Sequence, residues 1–119
     1  MSMVFESNGQ EIWSPSLRVG NLFLKQVEAL EQLLDMKSGM ESFLADTVEI
    51  DAALFNSFVI KALETLETTN NPPLFALLEG CIKIAIALNE KITGQVPDVS
   101  EKLYSLVVKA KTVMSKIDI

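Results

Sequence analysis

The chain has 119 residues, 49% of them apolar and 22% charged, with a net charge of −6, no histidine and one cysteine, Cys81. That balance suits one globular domain over residues 1–119 and argues against disorder as the main state. It also excludes an internal disulfide, Ser-His-Asp and Cys-His catalysis, and the commonest zinc ligand. The charge is uneven. Up to Glu79 there are 12 acidic and 4 basic residues, net −8, and from Gly80 onward 4 acidic and 6 basic, net +2. Neither part supplies the basic stripe that phosphates demand, so nucleic acid and an anionic membrane surface are not expected as partners.

Residues 3–14 read as a β-hairpin, because Asn8-Gly9 suits a two-residue turn whose central residues both need positive φ. The expected register sets Phe5 against Ile12, Val4 against Trp13 and Glu6 against Glu11. Phe5 and Ile12 then share one face, Val4 and Trp13 the other. The Glu6–Glu11 pair is unfavourable unless solvated, compensated by a lysine or relieved by a bulge. Such a hairpin is marginal alone and must pack on something. Trp13, the single tryptophan, is the expected structural anchor that locks the hairpin over the first helix.

A first helix is predicted over 15–36, with Ser14 as N-cap, Pro15 at the first helical position and Gly39 ending it. Phe23, Val27, Leu30 and Leu34 recur on its buried face. In the stretch 40–51, "MESFLADTVEID", "TVEI" suits a third short strand near 47–50 and "MESFLA" a turn of helix. Asp51 caps a second helix over 52–68 that buries Phe55, Phe58, Val59, Ala62 and Leu66. Asn71 and Pro72 start a third over 73–92. "CIKIAIAL" is apolar nearly all round, which marks a central helix with neighbours on every side. Glu79, Lys83, Glu90 and Lys91 interrupt it too often for a membrane span. Asp98 with Glu101 suggests a capping box that opens a fourth helix over 98–116, burying Leu103, Leu106, Val107, Ala110, Val113, Met114 and Ile117. The fold class expected is mainly α: four helices, an N-terminal hairpin and a central apolar third helix.

No phosphate-cradling glycine loop, dinucleotide fingerprint or nucleophile-elbow motif occurs, and catalysis is not expected. Cys81 lies among Ile82, Ile84 and Ala85, where a cysteine behaves as an inert hydrophobe. Clustered carboxylates at Glu41, Asp46, Glu49 and Asp51 lack the glycine and spacing of a calcium loop, so no metal, cofactor or catalytic residue is assigned. The opening "MSMVFESNGQ" has neither the basic start nor the apolar run of a secretory signal. With the lone cysteine, that makes a cytoplasmic setting the expectation.

The stretch "FESNGQEIWSPSLRVGNLFLKQVEAL", with "EIDAALFNSFV" at 49–59, resembles a family of small bacterial proteins known as a domain of unknown function. Its members share a glycine turn, a tryptophan followed by a polar residue, proline and serine, a helix carrying valine and phenylalanine, and an acidic–Ile–Asp step into a later helix. The resemblance implies a bacterial cytoplasmic source and assigns no activity.

The functional expectation is a small acidic protein-interaction module, an immunity- or antitoxin-like or accessory protein, whose surface at Glu6, Glu11, Glu41, Asp46 and Glu49 receives a cationic protein. Self-association is expected as a homodimer, through Ile84, Ile86 and Leu88, where a four-helix domain has apolar surface to spare. The alternatives are a helical carrier of a small hydrophobic ligand and, behind it, a carboxylate-dependent enzyme.

Overall fold

Asn8 and Gly9 both adopt left-handed backbone, φ 53° and 76°, and fold β1 (Val4–Ser7) back on β2 (Gln10–Trp13). The computed structural model describes residues 1–44 and 46–117. Beyond the turn Ser7 faces Gln10 and Glu6 faces Glu11, but Phe5 faces Trp13, because a β-bulge makes Ile12 an extra residue on β2. The expected Phe5–Ile12 and Val4–Trp13 pairs do not form. A bulge breaks the strict alternation of faces, and here Ile12 and Trp13 are both buried although adjacent in sequence.

Two more strands complete the sheet. β3 (Met40–Leu44) runs antiparallel to β4 (Thr47–Ile50), β4 runs parallel to β1, and the order is β2-β1-β4-β3. The short strand expected near 47–50 is therefore present, and "MESFL" is a strand where a helical turn was expected of "MESFLA", whose last residue lies outside the described residues. Gly39 explains the change. Its φ of 84° turns the chain into β3, its carbonyl accepts the Asp51 N–H at 2.9 Å, and a Cβ there would stand 2.8 Å from that of Leu54.

α1 (Leu17–Leu34) starts later than predicted, with Ser16 as its N-cap. Ser14 and Pro15 do not open it, since the Pro15 carbonyl accepts the Met3 N–H at 2.8 Å and Ser16 bridges to Ser2, holding that segment extended. Its end is capped by Asp35 in the left-handed conformation, which frees Gly39 for the turn into β3. α2 (Ala52–Thr68) and α3 (Pro72–Thr93) start at the expected caps, Asp51 and Asn71, each side chain accepting an N–H three residues on. α4 (Glu101–Ile117) begins three residues after Asp98. The capping box does not form, and the Ser100 carbonyl accepts the Leu103 N–H. α4 buries Leu103, Leu106, Val107 and Ala110 with Val113 half-buried. The side chains of Met114 and Ile117 lie outside what the structure describes.

Four helices and an N-terminal hairpin give the mainly α class expected, and the sheet adds two strands to the hairpin. α3 packs against α1, α2, α4 and β2. Length and composition alone would let it cross a bilayer. It is not buried all round, however. Its buried positions run from Cys81 to Asn89, whereas Ala76, Leu77 and Gly80 are exposed, Leu77 at 80%. At the other end of the core Phe5, Trp13 and Phe23 form a ring cluster with centroids 5.0 to 5.9 Å apart.

Residues 95–100 form a strap. It leaves α3 at Gly94, in a left-handed turn with φ 74°, runs back along α2, and reaches Glu67, whose carboxylate accepts the Ser100 hydroxyl. Lys102 then donates to the carbonyls of Glu67 and Thr69 at 3.0 Å each, so α4 starts beside the C-terminal end of α2.

Candidate functional site

The sheet has one apolar and one acidic face. Phe5, Ser7, Val48 and Ile50 are buried, and the Ser7 hydroxyl donates to the Ile50 carbonyl at 2.8 Å. The intervening residues point the other way, as period-2 alternation requires. There Glu11 pairs with Glu6, Glu6 with Glu49, and Glu49 with Glu41. One glutamate from each strand thus joins a continuous row across the whole sheet. Glu11, Glu41 and Glu49 are exposed and Glu6 is half-buried. Like charges directly opposite destabilise a sheet, and here three successive pairs are of that kind.

Four of the five residues assigned to a partner surface are therefore brought together. The fifth, Asp46, lies off the row. It sits in the β3–β4 turn, where its carbonyl accepts the Val4 N–H at 2.7 Å, and it is exposed. Beside the row, Glu41, Glu49 and Asp51 line a shallow depression of about 510 Å³ with Asn8 and Gly39. Among the described residues no three acidic or cysteine side chains are grouped to hold a metal ion.

Trp13 is only 4% exposed and packs against Phe5 and Phe23, so it offers no surface to a partner. The residues assigned to a dimer contact divide. Ile86 and Leu88 are 1% and 0% exposed inside this chain's own core, which removes them from any subunit contact, and Ile84 is half-buried against that core. The helix has apolar surface to spare about two turns before Ile84, at Ala76 and Leu77. Burial pushes the Cys81 thiol up from 9.0 to about 11, which keeps it protonated and unreactive at neutral pH.

A second feature was not foreseen. α2 and the strap enclose a groove of about 520 Å³. Val59, Ile60, Leu63, Val96 and Val99 form its apolar walls, and Glu64, Glu67 and Asp98 supply its charge. At its α3 end lie Asn56 and Asn89, with the Asn89 Nδ2 donating to Asn56 Oδ1 at 3.0 Å. Asn89 is 5% exposed and its Oδ1 has no hydrogen-bond partner. The sequence did hold a signal: "AIALNEK" sets an asparagine inside the greasiest helix, where an amide needs a reason.

Together these features define a mainly α protein of four helices and a small mixed sheet with an acidic outer face. The chain belongs to the Family of unknown function (DUF6086), whose model matches residues 1–118. No curated protein and no solved structure matches it.

Proposed function

We propose that this protein is a non-catalytic interaction module that receives a cationic protein on the outer face of its sheet. The observation that carries the reading is the unbroken row Glu11–Glu6–Glu49–Glu41. A row of like charges opposes the pairing of the strands that carry it, and a basic partner surface would relieve that repulsion. The face is built on paired strands and backed by a packed aromatic core, so its charges are held in place before binding. An immunity- or antitoxin-like protein in the cytoplasm, blocking a basic partner, is one concrete form of this reading.

The test uses the whole chain and a variant with Glu6, Glu11, Glu41 and Glu49 all changed to Gln. The wild-type protein, immobilised at low ionic strength, should retain a basic protein from extracts of its source organism, and the variant should not. With the retained protein purified, its association rate should fall steeply as salt is raised, since screening shortens the reach of the row to about 8 Å at physiological ionic strength. Equal retention by the variant, or an association rate indifferent to salt, would remove the sheet face from the interaction.

A further inference from the structure

We propose that α1 pairs with α1 of a second copy of this chain, antiparallel about a two-fold axis between Val27 and Glu28, through an exposed stripe on its outer side. The contact is distinct from the sheet face and does not depend on it. One side of α1 already serves the core, where Phe23, Val27 and Leu30 are buried. A surface helix needs only that one apolar stripe. A second runs beside it. Val19, Leu22, Gln26, Ala29 and Leu33 recur at alternating steps of three and four residues, and all five are exposed. Val19 is 47%, Leu22 61% and Leu33 50% exposed, so the large apolar members have nothing over them within the chain. Alternating steps of three and four are the spacing with which one helix meets another along its length.

What covers the stripe is indicated by its own symmetry. Leu22 and Leu33 stand at equal distances from the axis, so each copy's Leu22 packs beside the other's Leu33. Gln26 and Ala29 are likewise equidistant, and the small alanine leaves room for the two Gln26 amides to reach each other. An amide carries both donors and an acceptor, so the pair satisfies itself, and a polar residue in such a seam fixes its register. Charge repeats the pattern along the rim. Arg18 lies at one end and Asp35 at the other, and among the described residues neither forms an ion pair within its own chain. Glu31, also at the Asp35 end, already accepts the Ser38 N–H at 2.8 Å, and Lys37 lies past the end of the helix. Nearer the axis Lys25 and Glu28 are 3.5 Å apart in one chain. Antiparallel pairing brings Arg18 level with the second copy's Asp35, and Lys25 level with its Glu28, to within about 3 Å along the axis. A parallel pair would hold Arg18 and Asp35 at opposite ends and set Ala29 against Ala29, which leaves a gap. The stripe is about 21 Å long at ~1.5 Å per residue, which suits a small, reversible interface with a micromolar Kd. No glutamate of the sheet row lies in it, so the dimer carries two rows.

The test is sedimentation equilibrium of the full chain from micromolar concentration to about 1 mM, with amide chemical shifts followed over the same range. The mean mass should rise toward twice that of one chain, and the signals that move should be those around Val19, Leu22, Gln26 and Leu33. Leu22→Gln with Leu33→Gln, both on the surface, should keep the fold and weaken association at least ~tenfold. Lys25→Glu gathers four carboxylates around the axis and should weaken it severalfold. Adding Glu28→Lys should restore it, as only a surface that meets itself allows. For the orientation, chains carrying Leu22→Cys and chains carrying Leu33→Cys should form a disulfide-linked dimer when mixed under mild oxidation, and none when kept apart. Cys81 is buried and takes no part. A wild-type chain that stays monomeric up to about 1 mM would overturn the proposal and leave the stripe to a different protein, a result that requires no variant to fold. A dimer indifferent to Leu22→Gln with Leu33→Gln would overturn it as well and move the contact to another face, such as that of Leu77. Cross-linking of either cysteine chain with itself would overturn the antiparallel pairing.

Discussion

The two faces of the sheet obey opposite rules. Toward the helices Phe5 packs on Trp13 and Phe23 in the same buried core as Val48 and Ile50, and the gain comes from shape and from surface removed from water. Toward solvent the same strands carry Glu11, Glu6, Glu49 and Glu41 in register, an arrangement that works against the sheet. The inner face explains why the strands stay together. The outer face opposes that pairing, which is the reason to look there for function.

The contrast breaks most visibly at its inner side. Trp13→Ala should lower stability by about 3–5 kcal/mol, measured by denaturant unfolding. A loss below about 1 kcal/mol would mean that the ring cluster does not hold the hairpin. A second experiment asks whether the helical core is as dry as the inner face. The thiol of Cys81 is raised from 9.0 to about 11 in the folded chain. Between those values the unfolded state has released the proton and the folded state still holds it. Stability should therefore fall as pH rises through that window, by up to roughly 2–3 kcal/mol. Cys81→Ala should show a shallower fall between pH 9.0 and 11, and identical slopes would place water at the thiol.

The corner that aims β3 comes next. Gly39→Ala forces a Cβ into a left-handed residue against Leu54 and Asp51, which should cost roughly 1–3 kcal/mol and shift the amide signals of Glu41. Unchanged stability would show that the turn can relax. The smallest effect is also the most diagnostic. Glu6→Gln with Glu49→Gln should raise stability by about 0.2–1 kcal/mol for each like-charge pair relieved, and more at low salt. A loss instead of a gain would make the row a structural element, and the two faces would no longer differ in kind.

What the sequence made legible was local. Asn8-Gly9 specifies its turn from two residues, and Asp51 and Asn71-Pro72 specify their helix starts from three or four. The family resemblance rested on the first two of these neighbourhoods, around the Asn8-Gly9 turn and the step into Asp51, and matches the family shown. Partnerships between distant segments were not legible. Ser14-Pro15 looked like a helix start because nothing nearby announces that Met3 will claim the Pro15 carbonyl. "MESFL" became a strand because β4 was there to pair with it. The glutamates were identifiable one by one, but that four of them align depends on the parallel pairing of β1 with β4. Asn56 and Asn89, 33 residues apart, were invisible as a pair for the same reason.

That parallel pairing has a kinetic corollary. Ser7 and Ile50 meet across 43 residues of chain, so β1 and β4 join only after a long loop closes. A nascent or unravelled chain carries the same glutamates dispersed along a coil, and assembles them into a row only on reaching its native topology. A basic protein that recognises the row would distinguish finished molecules from unfinished ones, and its grip would report the folded fraction.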